Sequence, residues 1–402
     1  MFGTTMLFIG DFGADTLLAW MIILILFSII YVLLAPQMMG MQGWMFLRQT
    51  KKAVRELEEW AMQSRRIALK SISRYGRPRR DIAKELDNFL EFFAIEPVSD
   101  DPVGVLNRLE HILDVRKKRF EGIIKHLAPK SDPDEAANLE MTLEGAIASY
   151  TLFRIVRHLI TMAEKTKSMQ LAMLLQMQMP ILKEYAKAYL DATETFSKGK
   201  PIGDGFGAMV ATKLAGKAKW REPVKDTVYA ETEIEGRRVF VIKAKGPGGR
   251  VGKPGEIIKR LCKRRKIDRI IMVDAALKLE GEKSGQIIEG VGAAIGGPGV
   301  EKYKVEEIAT KRKIPVDAVV AKEGFKEAIG PLDRRIAKAV DAAVERVKKA
   351  IRERTKKGDS VIVAGIGNTI GIGQDPDQLP TKFPSRREKE GLESDRFLFQ
   401  PS

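Results

Sequence analysis

Between Leu17 and Ala35 the chain carries no charged residue, and almost every position is Leu, Ile, Val, Met, Phe, Trp or Tyr. About 20 such residues in a helix match the hydrocarbon thickness of a bilayer. The run therefore predicts a transmembrane helix over residues 17–36, ended by Pro36. The preceding flank, residues 1–16, holds Asp11 and Asp15 but no Lys or Arg, whereas Arg48, Lys51, Lys52 and Arg55 follow soon after the run. Positive charge stays on the cytoplasmic side, so the expected localisation is single-pass in the cell membrane, N-terminus outside and body in the cytoplasm. An early basic region and a small-residue cleavage site are both missing, which favours a retained anchor over a signal peptide. The bilayer is thus the first expected partner.

Beyond the anchor, 402 residues at 44 % hydrophobic and 30 % charged can bury a core in two soluble domains. A single cysteine, Cys262, excludes an internal disulfide framework and a cysteine zinc site, and His111, His126 and His158 leave little for imidazole metal chemistry. The formal charge of +16 suits anionic lipid or nucleic acid. The densest basic run, Lys259-Arg260 and Lys263 to Lys266, lies on or beside an expected helix and reads as a solvated face, so nucleic acid is not an expected partner.

From Trp44 to Ser197 the sequence is strand-poor and rich in Leu, Ala, Glu, Lys, Arg and Met, with turn signals at Gly76 to Pro78, at Pro97 and from Pro129 to Pro133. Four or more helices are expected over 44–197, with one apolar side in Leu86, Phe89, Leu90 and Phe93 and another in Leu109, Ile112, Leu113 and Leu127. In the last stretch, Asp134 to Thr195, Met169, Met173 and Met177 recur at i+4 steps. A bundle core explains them more simply than an adaptable apolar groove. Pro180 is expected to kink or divide that stretch.

After Gly199 glycine becomes frequent and short β-branched runs alternate with helical segments, predicting an α/β domain over 199–375 with a mostly parallel sheet covered by helices. Strands are expected at Arg238 to Ala244, Arg269 to Val273, Asp317 to Ala321 and Ser360 to Ala364, with Thr227 to Ile234 antiparallel to the first. Ligands bind at the carboxyl ends of strands in such sheets. There the chain places Lys245-Gly246-Pro247-Gly248-Gly249-Arg250, then Asp274, then Gly365-Ile366-Gly367-Asn368. The loop Gly290 to Gly299 is a further wall. Residues 376–402, rich in Pro, Ser, Arg, Glu and Asp, read as a flexible tail.

The order of these motifs resembles the spore germination proteases and, more distantly, the hydrogenase maturation proteases. Ile270-Ile271-Met272-Val273-Asp274-Ala275-Ala276-Leu277 is similar to the strand that bears one of the germination proteases' two essential aspartates. Lys245 to Gly252 precede it, and Gly296-Gly297-Pro298-Gly299-Val300 and Lys313-Ile314-Pro315-Val316 follow it, in that family's order. In the family, a strand ending in Gly-x-Gly-Asn leads directly into an aspartate-bearing turn and helix. Here Val361 to Asn368 comes last and Pro201-Ile202-Gly203-Asp204-Gly205-Phe206 comes first. The resemblance therefore implies a circular permutation, with Asn368 meeting Asp204; permutation is tolerated where termini lie together at an exposed loop. The whole chain also resembles an archaeal membrane-anchored family of unknown function.

On that resemblance Asp204 and Asp274 are the catalytic pair. Neighbouring carboxylates do not readily ionise together, so one keeps a proton as acid while the other activates water. Asn368, Gly246, Gly248, Gly249, Gly297, Gly299, Gly365 and Gly367 are the candidate ligand-binding positions. Read from the residues alone, Asp204 is equally well a helix N-cap and Asp274 a solvated strand-end carboxylate. No cofactor is required, a divalent metal at Asp204 and Asp274 being the alternative. The expected function is a membrane-anchored aspartate-dependent hydrolase of peptidase type, its partners a protein or peptide substrate and a second copy of the chain. The alternative is a non-catalytic membrane scaffold or chaperone-like binding protein using the helical region.

Overall fold

A computed structural model describes residues 48–78, 81–95 and 104–380. Helical residues 48–76 (α1) are followed by α2 (Ala83–Leu90), α3 (Val105–Leu127), α4 (Pro133–Thr166) and α5 (Met169–Ser197). A reciprocal cap starts α4: Asp132 Oδ1 accepts the N–H groups of Asp134 and Glu135, and the Glu135 carboxylate accepts that of Asp132. The chain breaks between α4 and α5 at Lys167, which has a positive φ of 49°, and Ser168, whose hydroxyl accepts the Leu171 N–H. The break falls there and not at Pro180, which lies inside α5.

The membrane-spanning expectation is corrected. Among the described residues no helix is long and apolar enough to cross a membrane. The run 17–36, on which that expectation was placed, lies outside the described residues. The longest described helix, α4, carries Glu140, Glu144, Arg154, Arg157 and Glu164 along its length, charges that a hydrocarbon interior rejects. A transmembrane helix is therefore dropped from the fold class, and single-pass membrane localisation with it.

The chain divides into two compact units. Of the described residues, 48–56 and 154–183 form the first, where Ala172, Leu175 and Met179 are buried while Met173, Leu174 and Met177 are exposed. In the second unit, Phe89 and Phe120 meet edge to face at 4.8 Å within a helical core with Leu86, Ile124, Leu127, Leu139 and Leu143.

The same unit holds β1 (Trp220–Val224), β2 (Thr227–Ile234), β3 (Arg237–Ala244), β4 (Arg269–Leu277), β5 (Ile287–Val291), β6 (Val316–Glu323) and β7 (Ser360–Gly365). They form one sheet in the order β1-β2-β3-β7-β4-β6-β5. Only the centre, β3-β7-β4-β6, is parallel; β1 and β2 join β3 as antiparallel hairpins and β5 runs antiparallel to β6. The sheet is thus mixed, not mostly parallel, because short edge strands too mixed in character to stand out in the sequence were added at both sides. Helices α6 (Phe206–Ala215) and α10 (Arg334–Arg354) cover one face, packing on Val239, Val241, Ile271, Val273, Val361 and Val363. Helices α7 (Pro254–Arg264) and α8 (Val300–Arg312) cover the other, on Phe240, Ile242, Ile270, Met272 and Ile362. That alternation is the period-2 pattern of strands buried on both faces. Residues 376–378, the start of the expected tail, form a 3-10 turn capped by Asp375; residues 381–402 lie outside the described residues.

Candidate active site

The carboxyl edge of the four parallel strands gathers three acids. Asp204 stands in a 3-10 turn, Gly203–Gly205, that leads directly into α6. Asp274 lies in β4 and is 6 % exposed; Glu323 ends β6 and is 2 % exposed. Ile270 and Met272 face α7 and α8, so Asp274 continues that row, whereas Val319 and Ala321 face α6 and α10, so Glu323 continues the opposite one. The acids thus approach the edge from both faces, in the crevice where open α/β sheets bind ligands.

The turn after β7 holds Asp204 in place. The Asn368 N–H donates to Asp204 Oδ2 at 2.8 Å, so the two residues expected to meet do so. Gly367, with φ +117°, permits it: a Cβ there would stand 1.8 Å from the Asp204 carbonyl oxygen. Gly365 lets α6 lie against β7, since its Cβ would fall 2.1 Å from the Gly207 carbonyl oxygen. Both glycines bring backbone against backbone and so position Asp204.

Burial is the main cause of raised pKa values at all three acids. It raises Asp204, partly offset by the Asn368 N–H. Asp274 is pushed to about 7 by burial and then by the charge of Asp204, against N–H donors from Ala275, at 2.8 Å, and Gly296. Glu323 goes to about 9, through burial and then the charges of Asp204, Glu327 and Asp274. The charge of Asp204 adds to the rise at Asp274, and the charges of both add to the rise at Glu323. Such coupled groups titrate as a set.

The other candidate positions separate into two kinds. Asn368 is buried; its Oδ1 accepts the Ile370 N–H at 2.9 Å and its Nδ2 donates to Met141 Sδ, so the side chain is engaged. Gly246, Gly248 and Gly249 sit in a loop clasped by α4 and the turn after β7. There Gly249 N–H donates to Asn138 Oδ1, Gly248 O accepts the Thr369 hydroxyl, and Gly246 O accepts from Gln374. Gly297 and Gly299 lie instead on an open loop with nothing near their Cβ positions. Glu323 was absent from the sequence reading, and β6 continuing past Ala321 in the same inward row was the signal that could have found it. Among the described residues no group of three or more His, Cys, Asp or Glu side chains is arranged to hold a metal. Two surface hollows lie in the helical part of the second unit, one lined by Phe89, Phe92, Ile123 and His126 and the other by Leu69, Arg77 and Asp81; none of the three acids lines either.

A family model described as the N-terminal domain of a protein of unknown function, DUF1512, matches residues 19–199, and its C-terminal counterpart matches 202–373. The chain belongs to the DUF1512 family. The acids fall within the C-terminal DUF1512 domain. No curated protein and no solved structure matches the chain.

Proposed function

We propose that this member of the DUF1512 family is an aspartate-dependent hydrolase of a peptide or other acyl bond. The observation that carries the reading is the pairing at the carboxyl edge: Asp274, buried and pushed to about 7 by burial and then by the charge of Asp204, is a carboxyl half-protonated at neutral pH beside a second carboxyl held by the Asn368 N–H. Asp204 then serves as the base that takes a proton from water, while Asp274 gives its proton to the leaving group. The Gly297 and Gly299 amides of the open loop are the donors to a developing oxyanion. The similarity of the segments around Asp274, Asp204 and Asn368 to the germination proteases supports the same reading.

The test offers peptide libraries to the purified full-length chain and to Asp204→Asn and Asp274→Asn. Expected are products from the wild type, at least a hundredfold less from each variant, and no change on adding a chelator. Equal product from all three proteins overturns the reading. A second reading, a non-catalytic binding protein working through its helical region, is favoured by the exposed Met173, Leu174 and Met177 of α5. On that reading both Asn variants retain full function and Met173→Ser with Met177→Ser loses it.

A further inference from the structure

Glu323 is the acid that the proposed reaction leaves unused, and its setting is unusual. Both carboxyl oxygens are shut off from solvent and neither has a hydrogen-bond partner among the described residues. No salt bridge reaches it there. Three acids face it: Asp204 from the turn before α6, Asp274 from β4, and Glu327 from α9 (Phe325–Ile329). Lys278, whose backbone N–H donates to the Glu323 carbonyl, has its ammonium taken by Ser284 at 2.8 Å and by Glu327 at 3.5 Å; Glu327 also pairs with Arg335. A buried carboxylate with three acidic neighbours and no counter-charge cannot hold its charge, so the group carries a proton.

A buried O–H must find an acceptor. Glu323 Oε2 lies against the residue before Asp204: a Cβ on Gly203 would stand only 2.5 Å from it. Asp204 in turn has one satisfied oxygen, Oδ2 on the Asn368 N–H, while Oδ1 accepts nothing among the described residues. An acid without an acceptor and a carboxyl group with an idle oxygen are therefore neighbours. We infer that Glu323 is a positioning residue of this site: a proton-bearing carboxyl that donates a hydrogen bond to the Asp204 carboxylate and steadies it as the base. A neutral acid used as a hydrogen-bond donor beside a developing or standing anion is known chemistry for buried carboxyls. The inference deepens the hydrolase reading and rests on it only for the word base; the hydrogen bond stands or falls without any substrate.

The test titrates the full-length chain, 13C-labelled at Asp and Glu carboxyls, by NMR without substrate, as wild type, Glu323→Gln and Glu323→Leu. Expected in the wild type is a Glu323 resonance that stays in its protonated position through pH 7 and moves near pH 9. Glu323→Gln, which keeps a neutral donor, leaves the Asp204 midpoint in place, and Glu323→Leu raises it by about one pH unit as the donor is lost. A wild-type Glu323 that titrates below pH 6, or an Asp204 midpoint unmoved in Glu323→Leu, overturns the inference. The wild-type titration decides even if a variant does not fold. Absence of hydrolysis in the peptide assay, with these shifts present, would remove the reaction and leave the hydrogen bond.

Discussion

Two glycine loops flank the same carboxyl edge and look alike in sequence, Gly246-Pro247-Gly248-Gly249 and Gly296-Gly297-Pro298-Gly299. In space they differ in kind. The first is a clasp, its polar backbone bound to Asn138, Thr369 and Gln374, with Gly371 N–H donating to Pro247 O. The second is open: Gly296 and Gly297 are exposed, and one of its amides, Gly296 N–H, reaches the Asp274 carboxyl. A glycine run thus marks where backbone comes close to something; only the destination of the amides tells whether that is the protein's own chain or a ligand.

Four substitutions put the contrast between clasp and open loop, and the acid beside it, to the test. The largest expected effect is at pH 8, in Asp274→Asn. An acid whose pKa is raised from 3.8 to about 7 on folding contributes most favourably below the unfolded value, and that contribution is lost as pH rises through 7. The cost it then carries is at most on the order of 4 kcal/mol. Asparagine carries none, so urea denaturation should find Asp274→Asn more stable than wild type above pH 7, the two converging near pH 4; parallel curves would mean that Asp274 ionises freely. Next is Gly246→Ala, whose Cβ would stand 1.7 Å from the Ile372 carbonyl oxygen and should cost about 3 kcal/mol by the same measurement. Asn138→Ala leaves the buried Gly249 N–H without its acceptor and should cost roughly 1–3 kcal/mol. Smallest is Gly296→Ala, with nothing within 4 Å of its Cβ, expected to shift stability by no more than about 0.5 kcal/mol. If Gly246→Ala were as mild as Gly296→Ala, the clasp would be no tighter than the open loop.

Much of the central sheet was legible because its strands are continuous β-branched runs buried on both faces; Thr227–Ile234 and the cores of β3, β4, β6 and β7 fall where the pattern places them. The edges were not. Trp220–Val224 contains Pro223 and three exposed residues, and Ile287–Val291 mixes Glu289 and Gly290 into a strand with no buried residue. Such strands are held by their neighbours' hydrogen bonds rather than by their own apolar pattern. The long helical stretch broke at Lys167, where Ser168 supplies a cap, while Pro180 was accommodated within α5. At the site, Asp204 and Asp274 could be paired only through the order of motifs, since 70 residues of sequence separation carry no spatial information. Glu323 follows Lys322 and resembles one of many surface charges; its burial depends on β6 running two residues farther in register with Ala276 and Leu277.

Burial, and after it the charge of Asp204, holds a proton on Asp274, and this is checked at the midpoint of the Asp274 carboxyl, read by 13C NMR in the wild type and in Asp204→Asn. The expected wild-type midpoint lies near 7 and falls once Asp204 is neutral. A midpoint near 4 in both proteins would contradict it.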